Sequence, residues 1–155
     1  MFRDYPDTFI KRCMITLFFL LVFFPASKSF ADVVFIANKT LPENQLTPDE
    51  IKNIFLGDMV TWKDGRSVVI VICNESEAHR EFTTKYTNKT PSQFISYWRM
   101  QLFSGKAQIP KTFADEKDVV NFVENTPCAI GYISSATTGN VKIITIAGDL
   151  GVREK

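Results

Sequence analysis

The densest run of chemistry-bearing side chains is Asn74-Glu75-Ser76-Glu77-Ala78-His79-Arg80, between a Val/Ile-rich segment and a polar one. Ser76 and His79, the only histidine in the chain, are three residues apart and can face one another on a helix. A hydrolase would need more: an orienting group and an oxyanion site, which no sequence signal supplies. Cys73, Glu75 and His79 can be drawn as metal ligands, yet no second cluster of Cys or His completes the set. No catalytic residue, metal or cofactor is therefore assigned, and the chain is expected to bind rather than to catalyse. Backbone N–H groups at a helix entry can hold an anion. That makes Ser76, Glu77, Ala78 and His79 candidate ligand-binding residues, with Asn38 at the exit of the first strand as another. Glu75, Glu77 and Glu81 weigh against an anion, since they already complement the positive end of the helix.

These residues must be positioned by a small set of elements. Residues 33–37 and 67–73 read as buried strands, the second with five Val or Ile in seven. Thr47-Pro48-Asp49-Glu50 and Thr90-Pro91-Ser92-Gln93 are two capping boxes, each with proline at the first helical position. The first opens a helix carrying Ile51, Ile54 and Phe55 and stopped by Gly57. The second opens one whose Phe94, Ile95, Tyr97, Trp98, Leu102 and Phe103 cover much of its circumference, which predicts packing on more than one side. Between them lies a polar helix with Phe82 and Tyr86 four apart. Residues 105–112 read as loop, 115–125 as a helix, and 129–133 and 141–146 as strands, with the last nine residues a tail. The order β-α-β-α-α-α-β-β predicts a three-layer α/β domain: a mostly parallel sheet covered on both faces, the closely spaced last pair supplying one antiparallel strand.

The ends of the chain set its address. Lys11-Arg12 precedes an apolar run, residues 14–24, and Ser29-Phe30-Ala31 puts small residues where a signal peptidase requires them. The run is about half the roughly 20 residues that span a bilayer as a helix, so cleavage after Ala31 is expected rather than anchorage. Asp4 and Asp7 in a long head leave open a translation start at Met14. Residues 1–31 are thus read as a signal peptide and 32–155 as one domain. Removing the four basic and two acidic residues of the leader from the chain's 18 and 17 leaves 14 basic against 15 acidic, a net charge of −1. A nucleic-acid partner is not expected from such a balance. Cys73 and Cys128 remain, either as one disulfide or as two small buried thiols, and the sequence leaves both open.

The run from Leu46 to Gly57, then Thr61-Trp62-Lys63-Asp64-Gly65, Ser76 with Phe82 six residues on, and Ala129-Ile130-Gly131-Tyr132, resembles the phosphate-binding subunits of bacterial ABC importers, which are type 2 periplasmic binding proteins. Tyr97-Trp98 with Phe103-Ser104-Gly105-Lys106 looks more like short, single-lobe relatives. The resemblance implies a single lobe in the periplasm, a small oxyanion such as phosphate as ligand, and a membrane protein or a second copy completing the site. An alternative is an interaction module that has lost its solute and docks on a membrane sensor or enzyme. The family's Arg and Ser-Gly-Thr positions fall here on Ile72 and on Ser76-Glu77-Ala78, so only the serine is kept. Intact mass of the protein recovered from an exporting host should correspond to a chain beginning at Asp32. A mass retaining residues 1–31 would refute the assigned leader.

Overall fold

In the computed structural model, residues 33–105, 109–134 and 139–148 are described. The leader, its boundary at Ala31 and most of the tail lie outside them. Six strands and four helices occur among the described residues: β1 Val34–Ala37, β2 Gln45–Leu46, α1 Pro48–Phe55, β3 Val69–Cys73, α2 Glu77–Thr87, α3 Pro91–Phe103, β4 Lys111–Phe113, α4 Glu116–Asn125, β5 Ala129–Ile133 and β6 Lys142–Ile146. Both capping boxes form: the hydroxyls of Thr47 and Thr90 accept from the N–H groups of Glu50 and Gln93, whose side chains return to the Thr47 and Thr90 N–H. Gly57 takes φ +75° at the end of α1. A Cβ there would also lie 2.8 Å from the Trp98 ring, so glycine is needed on both counts.

One six-stranded sheet runs in the order β2-β6-β1-β5-β3-β4. All pairings are parallel except those of β1, which runs against both neighbours, Phe35 opposite Tyr132 on one side and Ile144 on the other. The sheet is therefore mostly parallel with one antiparallel strand, as expected. The identity of that strand differs from the expectation: β5 and β6 do not pair with each other, because β1 lies between them. The segments β3-α2-α3-β4 and β4-α4-β5 are the crossovers that parallel pairing demands. Two short strands, β2 and β4, were not anticipated; β4 falls at the end of the stretch read as loop.

Side-chain alternation sends the two faces of the sheet into two cores. Phe35, Ala37, Ile72, Ile130, Tyr132 and Ile144 meet α1, α2 and α3 on one face. Ile36, Val71, Cys73, Ala129 and Ile133 meet Val119 and Val123 of α4 on the other. The first core is aromatic: Tyr132 stacks on Phe82 at 4.1 Å between ring centroids, and Phe55 lies 4.8 Å from Phe82. Trp62 is buried here, its indole N–H donating to the Cys128 carbonyl at 3.1 Å. Trp98 is buried as well, as its helical spacing suggested.

The α3 helix departs from its expectation. Only Phe94 and Trp98 are buried, while Met100, Leu102 and Phe103 are exposed, so α3 packs on one side. Cys73 and Cys128 are free thiols rather than a disulfide. Because β3 and β5 run parallel with Val69 opposite Ala129, Cys73 ends one strand while Cys128 precedes the other. Four residues of strand beyond Val69, about 13 Å at ~3.3 Å per residue, separate Cys73 from that end, and the two side chains enter different cores.

Gly131 shows how tightly the sheet meets α4. A Cβ there would lie 2.8 Å from Val71 Cγ1, 3.0 Å from the Val71 carbonyl oxygen and 3.1 Å from Val119 Cγ1. Gly131→Ala should accordingly destabilise by about 1–3 kcal/mol through overpacking. Urea denaturation with an unchanged slope and a lower midpoint is the expected result; an unchanged midpoint would contradict the close approach.

Candidate functional site

The parallel strands end together at one edge of the sheet, and three helices start there: α1 after β2, α2 after β3 and α4 after β4. Ligands in open α/β sheets sit at such carboxyl ends. Past the end of β3, the strand next to the outermost β4, Ser76 caps α2 with extended backbone, φ −83° and ψ 155°. Its Oγ accepts from the His79 N–H at 3.1 Å and donates to the Cys73 carbonyl at 3.1 Å. The N–H groups of Glu77 and Ala78, at the first two positions of α2, make no hydrogen bond among the described residues.

Carboxylates crowd this edge. Glu77 is exposed and pairs with Arg80 at 3.0 Å, and Glu75 is exposed beside it. At the start of α4, Asp115 accepts from the Lys117 N–H at 2.8 Å. Glu116 takes the Ser134 N–H at 3.0 Å and the Ser134 hydroxyl at 2.8 Å, closing the end of β5. Cys73 Sγ donates to the Ala114 carbonyl at 3.2 Å, and burial raises its pKa, so it stays a thiol. Among the described residues no group of His, Cys, Asp and Glu is arranged to hold a metal ion.

The sequence candidates do not converge here. Ser76 and Glu77 stand at the edge, but Ala78 is fully buried in the aromatic core. Ile72, at the position the resemblance gives to arginine, faces that same apolar core. Asn38 is at the opposite end of the sheet, because β1 runs against β3. There it is buried with all four amide functions used: Nδ2 donates to the Val123 and Glu124 carbonyls at 2.8 and 2.9 Å, and Oδ1 accepts from the N–H and hydroxyl of Thr40 at 2.9 and 2.7 Å. Asn38 thus caps the C-terminal end of α4 and has no capacity left for a ligand.

His79 also turns inward. Its ring is 1 % exposed, stacks on Tyr132 and meets the edge of Phe94, and its Nδ1 lies 2.6 Å from the Tyr132 hydroxyl. Nε2 is left without a partner whichever nitrogen carries the proton. Ser76 touches only the backbone of His79, so the serine–histidine pair required for hydrolysis is not made. Sequence reasoning found His79 but not Tyr132 as its partner, 53 residues away.

Beside the edge, a groove of about 260 Å³ opens between α3 and β4, with Asn74, Arg99 and Thr112 among its polar lining residues. Sequence reasoning missed it, since it depends on the unforeseen strand β4 and on α3 leaving one side bare.

A three-layer sheet whose parallel strands end at helix N-termini, with a serine cap at one of them, is the architecture of a solute-binding lobe. The PBP superfamily domain matches residues 29–154, and the chain belongs to that superfamily. No curated protein matches its sequence. Among solved structures it is similar to a putative phosphate ABC transporter substrate-binding protein with bound phosphate from Clostridium perfringens, at TM-score 0.56 and 19% identity, covering 74% of this chain and 44% of that one. It is also similar to an ABC-type phosphate transport receptor from Vibrio cholerae, at TM-score 0.50 and 16% identity, covering 74% and 45%. The chain thus spans less than half the length of these proteins, and at such identities the likeness is one of fold.

Burial holds the His79 pKa down at about 4. The unfolded chain, with its histidine near 6.5, binds a proton first as the pH falls. This contribution to stability is therefore complete above pH 6.5 and lost progressively down to about pH 4, a difference of about 3 kcal/mol. His79→Gln, which keeps an acceptor for Tyr132 and does not titrate, should flatten the stability–pH curve in that window. Identical slopes for both proteins would contradict a buried neutral histidine.

Proposed function

We propose that this chain is an exported, non-enzymatic solute-binding lobe of the periplasm that takes a small oxyanion, phosphate being the first candidate, at the N-terminus of α2. The observation that carries the reading is the exposed start of α2 at the carboxyl end of β3, where the N–H of Glu77 has no partner among the described residues and stands beside the Ser76 cap. A free N–H donor and a helix dipole attract an anion. Support comes also from the fold shared with two phosphate transport proteins.

The same geometry sets the strength of binding. No cation occupies the position of Ile72, Glu77 brings a negative charge to the donor, and Arg80 is already paired with Glu77. A single lobe leaves its ligand hydrated on one side, where charge interactions are screened. Phosphate affinity in the millimolar range is expected. The ligand is held at the Glu77 N–H, beside the Ser76 cap that keeps the start of α2 in place; Ala78, Asn38 and the His79 ring support the fold beneath it.

Calorimetry with phosphate at low ionic strength should give a millimolar Kd that weakens with salt. Glu77→Gly removes the repelling carboxylate and should tighten binding at least tenfold, about 1.4 kcal/mol. Ser76→Ala should weaken it, with a loss of about 1 kcal/mol in stability from the missing cap as an internal control. Absence of heat at 10 mM phosphate in both the natural protein and Glu77→Gly, an arbitrary but about tenfold margin over 1 mM, would refute the oxyanion reading.

A further inference from the structure

The most exposed large apolar side chain among the described residues is Phe103, at 89% of its full accessibility, in the last turn of α3. Next to it in sequence Leu102 is 48% exposed, and Ile109 is 47% exposed. Leu102 and Ile109 line the groove between α3 and β4, whose floor is Ile72, Phe94, Ile95 and Trp98. A protruding ring thus directly follows a residue that lines an apolar hole. Contiguous apolar surface of this kind on an otherwise polar protein marks an interaction site.

We propose that two copies of the chain pair through this patch by a two-fold axis, the Phe103 ring of each seating in the α3–β4 groove of the other. The choice of occupant rests on self-complementarity. A two-fold interface brings the same patch together from both sides, so a knob beside its own hole is what it requires. The size agrees: a cavity of about 150 Å³ already accepts a benzene ring, and the groove measures about 260 Å³. Charge agrees as well. The chain from Asp32 onward carries a net charge of −1, so copies do not repel one another.

Arg99 adds a specific contact. It lines the groove, makes no ion pair or hydrogen bond among the described residues, and stands one helical turn before Phe103 on the same side of α3. In the pair its guanidinium meets the incoming ring face, a cation–π arrangement. The outer edge of β4, unpaired among the described residues, lies alongside and widens the contact. Asn74, two residues before Ser76, lines the same groove, so each copy stands beside the other's α2 N-terminus and supplies a wall that a single lobe lacks.

Sedimentation velocity on the protein made from its complete gene in an exporting host, in phosphate-free buffer, tests the pairing independently of any oxyanion. A dimer with a Kd in the micromolar range is expected, as suits a patch anchored by one aromatic residue per side. Phe103→Ser removes the knob and Ile109→Glu charges the hole; both positions are solvent-exposed, so melting temperatures should hold while each variant's Kd rises at least tenfold. An equimolar mixture of the two variants retains one intact knob and one intact hole, and should form heterodimer more readily than either variant self-associates. A monomer at 1 mM, about a thousandfold above a micromolar Kd, would overturn the proposal. So would a dimer indifferent to both substitutions, or a mixture no more associated than its components.

Discussion

The reversed strand β1 is the constraint on which the arrangement of this lobe depends. It is the central strand, its Ile36 and Ala37 fully buried, and it pairs antiparallel on both sides. With β1 between β5 and β6, the two strands closest in sequence at the end of the chain are held apart and run parallel. All strands except β1 then finish at the same edge, so the starts of α1, α2 and α4 collect there. The exit of β1 is sent to the far edge, where Asn38 becomes a clamp on the end of α4 rather than a neighbour of Ser76.

The aromatic face of the sheet adds a second constraint, concerned with polarity. Tyr132 brings a hydroxyl into a core of Phe35, Phe55 and Phe82, and burial raises its pKa well above 10. An unpaired hydroxyl in such surroundings costs about 1–3 kcal/mol. His79 supplies the partner from the first turn of α2, and in doing so fixes the rotation of the helix about its axis. With His79 and Ala78 turned inward, Glu77 has to point out, and of the first three residues of α2 it alone is exposed. The two roles compete: a residue that seals the core from the third position of α2 is unavailable to a ligand above it. Nε2, left without a partner, is the unresolved remainder of that competition.

Local rules carried much of the fold into the sequence. Capping boxes at Thr47 and Thr90, glycine at 57 and runs of Val and Ile are short-range signals, and each marks an element that forms. Pairing is long-range. The two-residue β2 and three-residue β4 have too few positions to show a period, and the insertion of β1 between β5 and β6 joins residues about a hundred apart. The site was legible to the same extent: Ser76 announces itself as a cap, whereas the inward turn of His79 depends on Tyr132, and Asn38 on the carbonyls of α4. The α3 helix was misread because an aromatic-rich surface has the same spacing whether its second side is covered by this chain or by another.

That last ambiguity bears on what a single lobe can do. The phosphate transport proteins of similar fold are more than twice as long as the part that aligns with this chain, and a ligand site gains from burying most of its ligand's surface. One lobe offers donors at a surface, and the carboxylates of Glu75, Glu77, Asp115 and Glu116 already occupy much of the favourable potential that three helix starts create. A strong anion site therefore needs either a cation, which neither Ile72 nor Ala78 supplies, or a wall brought by a second molecule. The bare side of α3 lies next to that edge, with its apolar residues outside and Arg99, unpaired among the described residues, beside them. The fold thus places its least satisfied surface beside its least enclosed site, and covering the first is the direct physical route to enclosing the second.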